Sequence, residues 1–163
     1  MQNLWWVTNH RSQHKVFKKL LQPLLHLGFL FTRPLTVGVR AICYSAESNS
    51  ILLVKHTYSE GWALPGGGVE VGESMLAALK REVSEETGLE CKSARVLDTY
   101  HNSSISKRDH VVIYLVEDWQ EEQAHEPPKL EIAETAWFRL DELPDELTPC
   151  SEFGLQRYQP NCS

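Results

Sequence analysis

Residues 66–89 read GGGVEVGESMLAALKREVSEETGL, a glycine run that opens onto a helix carrying Glu82, Glu85 and Glu86. At about 100° per residue the three carboxylates fall within roughly a 100° arc, so they share one face of that helix. Like charges that close repel, and a chain that clusters them leaves them in water or uses them to hold a cation. The helix itself is predicted over Ser74 to Thr87. Leu76, Leu79 and Val83 form an apolar stripe beside the acidic face, and Gly88 supplies a left-handed cap. Pro65 and the three glycines fit neither a regular helix nor a central strand, so Pro65 to Gly68 is expected to be a loop.

Working outward, VGVRAICY (Val37 to Tyr44) and ILLVKHTY (Ile51 to Tyr58) are rich in β-branched and aromatic residues and flank the turn-forming SAESNS. They are predicted to form a hairpin. CKSARVLDTYHN (Cys91 to Asn102) and HVVIYLVEDW (His110 to Trp119), joined by the polar SSISKRD, make a second strand pair. TAWFRL (Thr135 to Leu140) is a further short strand, and Asp141 is placed as the N-cap of a helical tail. Strands and helices mix without regular βα alternation, which favours an α+β fold with a mixed sheet over a doubly wound one.

The 163 residues suit one domain, residues 36–163, with an appendage, residues 1–35. With 42% hydrophobic and 23% charged residues the chain is neither disordered nor collagenous. The net charge of −6 is uneven: residues 1–40 carry Arg11, Lys15, Lys18, Lys19, Arg33 and Arg40 with no acid, leaving −12 for the remainder. Such an acidic body excludes a duplex nucleic-acid binder and suits an anionic small molecule that arrives with a divalent metal.

In the leader, KVFKKLLQPLLHLGFLF (Lys15 to Phe31) is interrupted by Gln22, Pro23, His26 and Gly28. It falls short of the ~20 apolar residues of a membrane span. We expect a helix whose apolar side packs on the domain or on a second copy of the chain, or lies on an anionic membrane surface. Cys43, Cys91, Cys150 and Cys162 form no CxxC pair and read as reduced thiols, which favours the cytoplasm.

Hydrolysis of a phosphoanhydride brings water to phosphorus while negative charge builds on oxygen, work that oxygen-bound Mg²⁺ can share. A helical glutamate triad supplies such ligands, and a glycine loop lets backbone approach. Here the residues match a known pattern. Gly67 to Leu89 resembles the Nudix box, Gx5Ex7REUxEExGU with U a bulky aliphatic residue, at Gly67, Glu73, Arg81, Glu82, Val83, Glu85, Glu86, Gly88 and Leu89. The resemblance extends from about Val37 to Gln156 through LPGGG and EIAETAWFRLDELP.

The resemblance implies a Nudix-type α/β/α sandwich with a mixed sheet, beside the N-terminal helical extension, and a MutT-like pyrophosphohydrolase using Mg²⁺ or Mn²⁺. It implies a nucleoside diphosphate linked to another moiety as substrate. Glu82, Glu85 and Glu86 match the metal ligands, Glu82 being also a candidate base, and the Gly66 carbonyl is placed in the metal shell. Glu73 and Arg81 match residues that orient the carboxylates. Glu131, in preference to Glu134, is expected to add a carboxylate. Trp62 is a candidate for stacking on a base. Arg40, Tyr100, His101, Lys107 and Arg108 are candidates for phosphate or ribose contacts. A nucleotide sensor on the same fold is expected to show a broken box, whereas this one is intact.

Overall fold

The computed structural model describes residues 34–121 and 130–158. The chain divides into two compact units, Met1–Leu35 and Thr36–Ser163. The helix expected in the leader, Cys162 and most of the acidic loop before TAWFRL lie outside the described residues. Among those described, no helix is long and apolar enough to cross a membrane.

The second unit runs β1 (Thr36–Ser45), β2 (Ser50–His56), β3 (Trp62–Ala63), α1 (Met75–Thr87), β4 (Leu89–His101), β5 (Asp109–Glu121), β6 (Ile132–Arg139) and α2 (Pro149–Arg157). β5 is its axis. Val111 to Val116 are all buried, and alternate residues serve opposite faces, as a period of two requires. Val112, Tyr114 and Val116 join Leu79 and Val83 of α1. Val111, Ile113 and Leu115 join Cys150 of α2, with Phe153 and Leu155 packed alongside. A sheet with one helix on each face is the α/β/α sandwich, and α+β with a mixed sheet describes it.

Strand pairing departs from two simple hairpins. β4 and β5 do pair antiparallel, with bulges between Cys91 and Asp98. β1 and β2 pair only through Tyr44 with Ile51 and Ser45 with Ser50. Beyond that they diverge. β1 runs parallel to β5 from Thr36 to Cys43, while β2 pairs with β6 along its length and with β3 near its end. The edge of β1 vacated by β2 is filled by the glycine run. Ala41 N–H donates to Pro65 O (2.8 Å), Val39 N–H to Gly67 O (2.9 Å), and Val69 N–H to Val37 O (2.9 Å). Residues 65–69 are therefore an irregular loop bonded edge-on to a strand, which satisfies backbone groups that would otherwise be buried alone.

Two expectations need correction. Leu76 is 42% exposed, so the buried stripe of α1 consists of Ala78, Leu79 and Val83. Asp141 caps no helix: it accepts from Arg139 Nε at 3.0 Å. The last helix begins later, with Thr148 at its N-cap and Pro149 in its first turn, where a missing N–H costs nothing.

Candidate functional site

α1 is placed by its caps. Ser74 Oγ accepts from Ala77 N–H (3.2 Å), and Gly88, at φ 71°, closes the other end with its N–H on Ser84 O. The packing of Leu79 and Val83 then turns the acidic face towards the glycine loop.

That face is not uniform. Glu86 is buried and its Oε2 accepts from Gly66 N–H at 2.7 Å. Burial is the main reason its carboxyl is pushed up to about 7; the Gly66 bond opposes the shift and Arg40 opposes it further. Glu82 is half-buried against Gly67, where an added Cβ would stand 2.4 Å from its carboxylate carbon. Glu85 is the outermost, with its side chain 56% exposed.

Arg81 binds these parts together. Nη1 donates to Glu82 Oε1 (2.8 Å) and Glu85 Oε2 (3.4 Å), Nε to Glu73 Oε1 (3.1 Å), and Nη2 to Glu73 Oε2 (3.0 Å) and to Gly68 O (3.2 Å). The two-point grip on Glu73 is the strong fork geometry of arginine and carboxylate. Glu73 and then Glu82 hold the guanidinium protonated, and Arg81 in turn keeps the Glu73 carboxyl below its usual range. One arginine thus ties loop, helix start and two helical carboxylates.

A cleft of about 590 Å³ opens beside this assembly, lined among others by Arg40, His56, Tyr58, Gly66, Gly67, Glu82, Glu86, Ile105 and Glu131. Arg40 Nη1 is buried without a hydrogen-bond partner, and its charge counts among the influences on Glu86, His56 and Tyr58. An unpartnered guanidinium nitrogen beside a cleft suits an anionic oxygen.

The other expected residues divide. Glu131 lines the cleft, whereas Glu134 lies opposite Lys55 in the β2–β6 ladder, away from the lining. Trp62 packs edge-on against Phe138 (4.7 Å) with Lys55 Nζ over its ring (5.9 Å), outside the lining. Tyr100 packs against Phe153 at 5.1 Å, also outside it. Lys107 and Arg108 are exposed and line no part of the cleft. His101 stacks on His110 at 5.0 Å.

Sequence reasoning missed His56 and Tyr58. His56 is buried, with Glu86 Oε1 3.8 Å from its Nε2, and neither ring nitrogen reaches a hydrogen-bond partner. Burial and then Arg40 lower its pKa, against an opposing pull from Glu131. Their signal is a polar and an aromatic residue just past the apolar run ILLV, where β2 emerges from the core.

The family model described as NUDIX domain matches residues 34–155, and the chain belongs to that family. Diphosphoinositol polyphosphate phosphohydrolase 2 of Rattus norvegicus is 32% identical over 75% of this chain and 70% of its own length. The same-named enzyme of Homo sapiens is 35% identical over 49% of this chain, which spans about half (48%) of that relative. ADP-ribose pyrophosphatase of Methanocaldococcus jannaschii is 41% identical over 40% of this chain and 41% of its own. Among solved structures, the MutT NUDIX hydrolase from Burkholderia pseudomallei superposes with a TM-score of 0.67 at 26% identity, covering 76% of this chain and 98% of that one. Within the family, the chain is a Nudix-type pyrophosphohydrolase.

Whether this site suits a divalent ion rests on its donors. Among the described residues, no three metal-ligating side chains converge as they stand. Glu82 and Glu85 are turned to Arg81 and Glu86 to Gly66 N–H. The donors are nonetheless all oxygens, and the glycine at 67 leaves room at Glu82 that a Cβ would fill. Such a set fits a hard cation.

Proposed function

We propose that the chain hydrolyses the diphosphate linkage of a nucleoside diphosphate joined to another moiety, with Mg²⁺ or Mn²⁺. The observation that carries this reading is the Arg81 clamp, which holds Glu82 and Glu85 beside the glycine loop while Gly66 N–H of that loop holds Glu86. Glu82, Glu85, Glu86 and the Gly66 carbonyl would hold the cation, with Glu131 at the cleft wall as a further carboxylate. A cation held there would supply charge stabilisation on the phosphate and a more acidic water. Glu82 is positioned to accept the proton of the attacking water, since Arg81 fixes one of its oxygens and leaves the other free of that contact. Arg40 meets the phosphate. We place the enzyme in the cytoplasm, in line with Cys43, Cys91 and Cys150, which are free thiols.

A second reading takes the relatives' diphosphoinositol polyphosphates as substrate. Its support is the identity with those enzymes. Against it stands the cleft, where Arg40 is the only lysine or arginine among the described lining residues and Glu82, Glu86, Asp109 and Glu131 are acidic. A ligand with many phosphates finds a single guanidinium there for the groups the cation does not hold.

A phosphate-release screen tests both readings. It compares nucleoside diphosphate sugars, ADP-ribose, dinucleoside polyphosphates, oxidised nucleoside triphosphates and a diphosphoinositol polyphosphate, with Mg²⁺ and with Mn²⁺. Turnover of a nucleoside diphosphate derivative is the expected result, and turnover confined to the inositol compound would reverse the assignment.

A further inference from the structure

Tyr58 is an anomaly in the cleft. It is 73% exposed, yet its ring does not hang free: it stacks on His56 with centroids 5.0 Å apart and planes 25° from parallel. His56 is buried and makes no hydrogen bond with either ring nitrogen. With Glu86 Oε1 3.8 Å from its Nε2 on one side, the imidazole gives its flat face to Tyr58.

The backbone below is fixed as well. Thr57 N–H donates to Glu131 O (2.9 Å) and Thr57 Oγ1 to Leu130 O (2.7 Å). One face of the Tyr58 ring is therefore backed by His56, and most of the rest is exposed in the cleft that also holds Arg40, Glu82 and Glu86. Ile105, 78% exposed, is a second apolar side chain of the same lining. Two exposed apolar groups contribute little to a ligand made only of phosphates and hydroxyls. They suit a flat ring.

We propose that Tyr58 is the specificity-determining platform on which the substrate's nucleobase stacks, with His56 as the positioning residue beneath it. Trp62, the expected stacking residue, has its ring committed to Phe138 and Lys55. The proposal rests on the nucleoside diphosphate reading above and narrows it: recognition comes from a stacked ring, so the choice among bases is loose, while a substrate without a ring is held poorly.

The test compares two non-hydrolysable ligands that share their phosphates, α,β-methylene-ADP and methylenediphosphonate, titrated calorimetrically into the full chain with Mg²⁺. Wild type is expected to bind the adenosine compound at least tenfold more tightly. Tyr58→Ala and Tyr58→Leu should each remove about tenfold of that preference, and Tyr58→Phe should keep it. An equal loss for both ligands, or a wild-type preference under about twofold, overturns the proposal. Hydrolysis of any nucleoside diphosphate derivative of the screen above by the same protein separates the two claims. Hydrolysis without a binding preference leaves the function and removes the platform, whereas the binding pattern without hydrolysis removes the function and leaves the platform.

Discussion

Replacing Gly66 by alanine should destabilise the seat of the glycine loop without removing any side chain of the site. Gly66 has φ 138°, a conformation L side chains rarely adopt, and an added Cβ would stand 2.2 Å from Val39 O and 3.0 Å from Arg40 Cα. Both are backbone atoms of β1, so no side-chain rotation relieves the clash. Moving the loop instead strains the bonds from Ala41 N–H to Pro65 O and from Val39 N–H to Gly67 O, which bracket Gly66. It also pulls Gly66 N–H from Glu86. Backbone strain costs about 1–3 kcal/mol, and one lost buried hydrogen bond about 1–3 kcal/mol more. A total near 4 kcal/mol lowers the melting temperature of a domain this size by roughly 10 °C. Thermal melts and urea titrations read it directly. Gly68→Ala is the internal control, since nothing lies within 4 Å of its added Cβ, and it should stay within about 0.5 kcal/mol of wild type. A Gly66→Ala melt within about 2 °C of wild type, or equal losses for the two variants, would refute the reasoning.

Other outcomes follow from the same geometry. Gly67→Ala meets the carboxylate of Glu82 at 2.4 Å, the far end of a flexible side chain. Stability should therefore change by less than about 1 kcal/mol while hydrolysis falls at least about tenfold as Glu82 is displaced. Glu82→Gln should abolish measurable turnover and leave the circular dichroism melt unchanged; near-normal rates with Mg²⁺ would remove Glu82 from the chemistry. In metal-free protein, Glu86 is raised from 4.5 to about 7 by burial. Its contribution is full below pH 4.5 and is lost as pH rises through 7, a fall of up to about 3 kcal/mol. Melts in chelator from pH 4.5 to 8 should show it, and Glu86→Gln should flatten the profile. The leader is expected to pack on protein: with anionic liposomes, neither the full chain nor one beginning at Thr36 should float, and flotation of the full chain alone would assign residues 1–35 to the membrane.

Local signals were sufficient for much of this. The capped helix, its glutamate spacing and the β4–β5 hairpin are readable because each depends on residues near in sequence, through side-chain periodicity and turn chemistry. Pairing of β1 with β5 is different: Val39 lies beside Val112, 73 positions on, and nothing in either apolar run names its partner. The same holds for depth. Leu76 and Leu79 look alike on a helical wheel, yet one is 42% exposed and the other fully buried, because the sheet meets α1 along one line only.

The sequence alone determined that residues 66–89 join a glycine loop to a helix bearing three carboxylates, since spacing at 3.6 residues per turn is a local property. Only the tertiary structure decided what surrounds each carboxylate. Glu86 is sealed against Gly66, Glu82 is pinned by Arg81, and Glu85 is left at the surface. It also decided that Tyr58, rather than Trp62, presents its ring to the cleft. The physical reason is the divergence of β1 from β2, which lets the loop take a strand's place and opens the cleft between segments that the chain itself keeps far apart.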